Sequence, residues 1–213
     1  MLTAVTRQRT SPLRAVLRFV ASVMMVSGIL LISDAGVTLL WQEPVSWFVA
    51  DRQQAKLEEA FANPPKRVLQ RKPLKGDAIA RIELPAIHKT TVVVEGTDTG
   101  SLRKGPGHYP KTPLPGEHGT AAIAGHRTTY GAPFRHIDGL HTGDTIRVDM
   151  PDGTFVYRVS RVRIVDDSAT WVTRRVGHDQ LVLTACHPLH SAAQRIAVFA
   201  RYVKREKPRV KKA

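Results

Sequence analysis

The chain has 213 residues, which suits one main domain with appendages. Lys and Arg total 32 against 18 Asp and Glu, a formal charge of +14, so anionic neighbours are expected: nucleic acid, acidic headgroups or acidic wall polymers. The single cysteine excludes an intrachain disulfide and any thiolate-rich zinc site.

Residues 1–18 form a basic segment carrying Arg7, Arg9, Arg14 and Arg18. An apolar stretch from Phe19 to Trp41 follows. At about 23 residues it is long enough to cross the hydrocarbon core as a helix. Its one charge, Asp34, lies toward the far end. The positive flank predicts a cytoplasmic N-terminus, with everything beyond Trp41 outside the cell. Trp41 and Trp47 suit the outer headgroup region. A cleaved signal peptide is the competing reading, because Ser33-Asp34-Ala35 loosely resembles a cleavage site. Apolar character resumes from Ala35 to Trp41, which favours a retained single-pass anchor.

Residues 42–75 read as a juxtamembrane helix followed by a linker. Val45, Phe48, Val49, Leu57 and Phe61 recur at roughly helical spacing over 45–62. Pro64-Pro65 ends the helix, and the Pro- and Lys-rich stretch to Asp77 is read as a spacer. Residues 76–204 alternate strand-like runs with Gly and Pro. The predicted strands are Ala78–Leu84, Thr91–Glu95, Thr120–Ala124, Asp144–Met150, Thr154–Val165, Leu181–Cys186 and Arg195–Val203. Asp152-Gly153 reads as a hairpin turn, and Ser101–Leu102 and Ala132–Ile137 as single helical turns. Many short strands with little helical periodicity predict an all-β, closed or nearly closed barrel. Residues 205–213 are a basic tail, read as solvated.

The chemistry concentrates at strand tips. Cys186 closes the run Leu181-Val182-Leu183-Thr184-Ala185-Cys186, where a substrate can reach its sulfur. A thiolate is the attacking species, and positive charge favours it. Arg195 opens the next apolar run and supplies both that charge and a rigid fork of donors for an oxyanion. The bland alternative for a free cysteine is a small buried hydrophobe. Histidine is the usual general acid or base. His126 follows Gly125 at the end of an apolar strand, an opening that aims a ring into a cleft. His187 adjoins Cys186, but consecutive strand residues face opposite ways. The remaining histidines, His108 among them, read as loop or surface residues. No HExxH or local metal spacing is present, and Asp166-Asp167 is a weak ligand set for calcium. No metal and no cofactor are expected.

Three segments carry a resemblance: Gly107-His108-Tyr109-Pro110, then Ala124-Gly125-His126-Arg127-Thr128-Thr129-Tyr130-Gly131-Ala132-Pro133-Phe134, then Leu183-Thr184-Ala185-Cys186-His187-Pro188 with Gln194-Arg195. Together they resemble the sortases, nearest to class E of actinobacteria, over residues 76–204. The resemblance implies a sortase-type eight-stranded β-barrel. It also implies Cys186 as nucleophile, His126 as general acid/base and Arg195 as oxyanion stabiliser. Sortases cleave a C-terminal sorting signal after Thr, form a thioacyl enzyme and pass the acyl group to an amine of a peptidoglycan precursor. Class E resemblance implies a preference for LAXTG over LPXTG, associated with the tyrosine at Tyr109. Thr184 and Ala185 join it as expected substrate-contacting residues. Ala185 departs from the family, where Thr is typical just before the cysteine.

The expected partners are secreted proteins with C-terminal sorting signals, a peptidoglycan precursor amine and the membrane, for a monomeric enzyme. Two alternatives stay open: an exported cysteine peptidase with water as acceptor, and a non-catalytic wall-binding module. Nucleic acid is not expected, since the topology is exported and no aromatic platform interleaves with basic residues.

Overall fold

The computed structural model describes residues 12–41 and 44–208. The chain divides into two compact units, Met1–Pro44 and Val45–Ala213. In the first, helix α1 spans Pro12–Trp41. Its stretch Pro12–Val37 has a mean hydropathy of 2.3 and is long and apolar enough to cross a membrane. The helix starts ahead of the expected span, so Arg14 and Arg18 occupy its first turns. The side chains of Trp41 and Trp47 lie outside the described residues.

The second unit is a closed barrel of eight strands in the order β1-β2-β3-β4-β7-β8-β6-β5. The strands are β1 Ala78–Leu84, β2 Lys89–Glu95, β3 Gly107–His108, β4 Thr120–Ala124, β5 Thr145–Met150, β6 Gly153–Asp166, β7 Gln180–His187 and β8 Gln194–Glu206. Most neighbours run antiparallel, but β2 pairs with β3 and β4 with β7 in parallel. The β5–β6 hairpin pairs Met150 with Gly153, so its loop is Pro151-Asp152. β8 continues through Arg205 and Glu206, past the expected end of the barrel, and residues 209–213 lie outside the described residues.

Period-two alternation sorts each strand into an inner and an outer face. Leu181, Leu183 and Ala185 of β7 join Ile196, Val198 and Ala200 of β8 in the interior cluster, around Phe134 and Ile123. Val182 of β7 and Ala197 and Phe199 of β8 face outward and pack under Val172 of the β6–β7 connection. The outer face therefore carries its own apolar floor, and the next outward residue of β7 after Thr184 is Cys186.

Helix α2, Pro44–Ala62, packs against the barrel. Its Leu57 and Phe61 bury against Ala78, Val92 and Val94. Gln54 closes a polar seam at the same face. Its Oε1 accepts from Thr91 Oγ1 and Val92 N, both at 2.8 Å, while its Nε2 donates to the Lys104 carbonyl at 2.8 Å. The stretch read as a spacer is likewise bound down. A short helix α3, Lys66–Leu69, buries Val68. Arg67 pairs with Asp77 at 2.7 Å, and Arg71 reaches Asp152 at 2.9 Å. Pro and Lys enrichment suggested a tether, but ion pairs to distant carboxylates hold the segment on the surface.

Candidate active site

β7 and β8 run antiparallel, and their register sets Cys186 directly opposite Arg195. Directly opposed residues put their Cβ atoms about 5 Å apart on the same face. The thiol and the guanidinium thus share the outer face of the sheet. Arg195 Nη1 donates to the carbonyls of Ala192 at 2.8 Å and Gln194 at 2.9 Å, which fixes the plane of the fork.

β4 lies on the other side of β7. Gly125, just past its end, donates its N–H to the Thr184 carbonyl at 3.0 Å and ties the two strand ends together. A Cβ at Gly125 would sit 2.4 Å from the Phe134 ring, so only glycine lets that fully buried ring close over the strand end. The loop then returns, with Phe134 N bonded to the His126 carbonyl at 2.9 Å. Tyr130, Gly131 and Ala132 all take positive φ at its tip. The Tyr130 ring packs 5.2 Å from the His126 ring.

Cys186, His126 and Arg195 line one open groove of about 290 Å³, together with Tyr109, Thr184 and Ala185. His126 is half-buried, and desolvation holds its pKa below the ordinary 6.5, favouring the neutral ring. Tyr109 OH lies 3.1 Å from Thr184 Oγ1 on the groove wall. Past Tyr109 a second cleft of about 450 Å³ opens, bounded by Pro110, Asp167, Ala169 and Val172. Alternation gives Thr184 the same face as the sulfur, whereas Ala185 belongs to the interior cluster. A hydroxyl at 185 would therefore point toward the core, and the groove-side hydroxyl is that of Thr184.

One residue differs from its sequence-based reading. His108, expected at the surface, is 1% exposed. Its Nδ1 lies 2.8 Å from Glu95 Oε2 and its Nε2 3.0 Å from the Pro113 carbonyl. This buried knot anchors β3 and holds the chain from which Tyr109 projects. Arg127, assigned no role from the sequence, is 4% exposed. Its guanidinium pairs with Asp138 at 2.8 Å, donates to the Arg135 carbonyl at 3.2 Å and reaches the Cys186 carbonyl and His187 Nδ1 at 3.4 Å. An Arg following an apolar strand was the only available signal, since both sets of acceptors are remote in sequence or irregular. Among the described residues no group of three or more His, Cys, Asp or Glu is placed to hold a metal ion.

A family described as the sortase domain matches residues 82–203. Sortase D of Bacillus subtilis is 32% identical over 155 residues, covering 71% of this chain and 77% of that protein. Sortase SrtE1 of Streptomyces coelicolor is 27% identical over 210 residues, covering 91% of this chain and 59% of that protein. Among solved structures, a Sortase D5 transpeptidase of Clostridium perfringens superposes with a TM-score of 0.64 at 27% identity, covering 73% of this chain and 99% of that one.

Proposed function

The chain belongs to the sortase family of cysteine transpeptidases, and from that premise we propose that it cleaves an LAXTG- or LPXTG-like sorting signal after Thr and transfers the acyl group to a cell-wall amine. The observation that supports this reading is the convergence of Cys186, His126 and Arg195 on one groove. The Cys186 thiolate attacks the Thr carbonyl carbon, and the carbonyl π pair moves onto oxygen. Arg195 donates from its free edge to that oxyanion, its other edge being held by Ala192 and Gln194. Collapse expels the Gly amine, which takes a proton from the His126 imidazolium and leaves a thioester on Cys186. An incoming amine then attacks the thioester, neutral His126 removes its proton, and the thiolate departs.

Burial of His126 favours its neutral form, so the thiolate–imidazolium pair is a minority of the resting enzyme. The cleft beyond Tyr109 takes the residues of the signal that precede Thr, with the Tyr109–Thr184 contact as its threshold. A single-pass anchor at α1, with the barrel outside the cell, brings the enzyme to membrane-bound precursors. Water as final acceptor is the competing outcome of the same acyl enzyme.

The full chain in detergent, incubated with fluorogenic LAXTG and LPXTG peptides and triglycine, tests this. Cys186→Ala is expected to abolish cleavage, His126→Ala and Arg195→Ala to lower kcat/KM by about a hundredfold or more. Amide product with triglycine supports transfer. Peptide cleavage that survives Cys186→Ala overturns the reading, and product containing only the free acid replaces transfer by hydrolysis.

A further inference from the structure

A histidine that moves protons needs its ring held at a working angle, and a hydrogen bond to the far ring nitrogen commonly does this. His126 has no such partner. Among the described residues neither of its ring nitrogens makes a hydrogen bond or an ion pair, unlike those of His108, His118 and His187. Its ring packs instead against Tyr130, with centroids 5.2 Å apart and planes tilted by 51°. That spacing lies within the range of favourable aromatic contact.

Tyr130 reaches this place at a backbone cost. It sits at φ 52°, followed by Gly131 at 73° and Ala132 at 40°. Left-handed conformations suit glycine and disfavour a bulky side chain. Such strain persists only where the surroundings over-determine it, and it gathers at functional sites. Here the Ala132 N–H donates to the Thr129 carbonyl and the Phe134 N–H to the His126 carbonyl, both at 2.9 Å. Ala50 of α2 closes on Gly131. Arg103, which follows the helical turn Thr99–Leu102, holds its Cζ 5.5 Å from the Tyr130 ring centroid, within reach of a cation–π attraction. The loop thus spends conformational strain to aim one aromatic ring at the imidazole.

We infer that Tyr130 is a positioning residue for the reaction, its ring fixing the angle of the His126 imidazole and keeping water off it. The inference rests on the reading of His126 as acid/base given above. A ring contact sets an angle without supplying or accepting a proton. The imidazole can therefore give a proton to the departing amine and take one from the incoming amine at the same nitrogen. The other ionisable groups around the imidazole come from several elements. Cys186 of β7, Arg195 of β8 and Tyr109, just past β3, line its groove, and Arg127 of its own loop reaches the Cys186 carbonyl. Around Tyr130 stand Arg103, and Asp51 of α2 and Lys89 of β2, which line a cavity of about 70 Å³ that Tyr130 also borders. A change confined to Tyr130 leaves all of these charges in place.

The test uses the full chain in detergent with sorting peptides and triglycine. Tyr130→Phe keeps the ring. Tyr130→Asn removes it, while asparagine tolerates the left-handed backbone and so preserves the loop. Tyr130→Phe is expected to stay within about twofold of the wild type, and Tyr130→Asn to lose about tenfold or more in kcat with little change in KM. NMR titration of the His126 ring, read on the Cys186→Ala background below the melting temperature of every variant, supplies the second readout. In Tyr130→Asn the pKa should rise from its depressed value toward 6.5, because water regains the ring, and in Tyr130→Phe it should stay. The acid limb of the kcat/KM profile should move the same way. An unmoved titration in Tyr130→Asn overturns the inference whatever happens to kcat or Tm, since a purely structural residue lowers activity without altering the ring's surroundings. Unchanged kcat in Tyr130→Asn overturns it too, as does a Tyr130→Phe loss equal to that of Tyr130→Asn, which would move the role to the phenolic hydroxyl. If the wild type cleaves no sorting peptide, or His126→Ala cleaves as well as the wild type, the acid/base reading fails instead. The titration needs no turnover, and a pKa that moves only when the ring is lost would still uphold the contact.

Discussion

At the scale of single residues, the groove depends on a side chain that does not line it. Arg127 follows His126 directly and its guanidinium spans from Asp138 and the Arg135 carbonyl to the end of β7 at Cys186. It therefore clamps the loop carrying the imidazole to the strand carrying the sulfur. Asp138 is half solvated, so removing Arg127 does not strand a buried charge, and the loss should appear in geometry before stability. A misplacement of about 1 Å costs about a hundredfold in rate. Arg127→Gln is expected to lower kcat by about tenfold or more at little change in KM, with Arg127→Lys recovering only part because ammonium cannot fork. Equal activity of Gln and wild type in steady-state kinetics would remove Arg127 from the machinery.

His126 makes a prediction of its own. Desolvation depresses its pKa below 6.5 in the folded enzyme. The folded state thus binds a proton less readily than the unfolded chain. The stability associated with the neutral ring is present above 6.5 and is lost as pH falls through the depressed value. The mechanism needs the imidazolium for amine departure and the thiolate for attack, so kcat/KM should be bell-shaped with its acid limb below 6.5. A pH–rate profile whose acid limb lies above 7 would show that the ring is not desolvated in the working enzyme.

At the scale of elements, legibility followed the length of the repeat. Strands such as Ala78–Leu84 and Thr120–Ala124 were readable to the residue because short, largely apolar runs fill each element between turn residues. β3 was missed because two residues carry no period, and the Glu95–His108 pair that fastens it joins residues on two strands. The Cys186–Arg195 juxtaposition was readable because a short connection between two apolar runs predicts an antiparallel pair. The roles of Arg127 and Gln54 were not, because their partners come together only through barrel closure. Ala185 lines the groove beside Cys186 although its methyl belongs to the interior cluster. Alternation alone gives Thr184 and Cys186 one face. Gly125 and Gly131 belong to this scale as well. The first admits the Phe134 ring, and the second, at φ 73°, would bring a Cβ within 2.8 Å of Ala50 Cβ. The loop bearing His126 is thus packed from inside by the core and from outside by α2.

At the scale of the whole molecule, that contact places the domain boundary. The compact unit begins at Val45, not at the first strand. α2 covers Val92 and Val94 with Leu57 and Phe61, satisfies the Lys104 carbonyl and the Val92 N–H through Gln54, and abuts the His126 loop at Gly131. A chain trimmed to residues 76–213 keeps every strand but exposes this face. Uncovering Val92 and Val94 costs roughly 3–6 kcal/mol. In a domain of this size that corresponds to a fall in Tm on the order of 10 °C. The same truncation frees the Ala50 side of the loop, so kcat/KM should drop along with stability even at temperatures where the barrel remains folded. Residues 44–213 should match the full chain in both respects. Paired thermal melts and sorting-peptide cleavage rates for the two lengths decide it: equal Tm and equal rates would reduce α2 to a tether between α1 and a self-sufficient barrel.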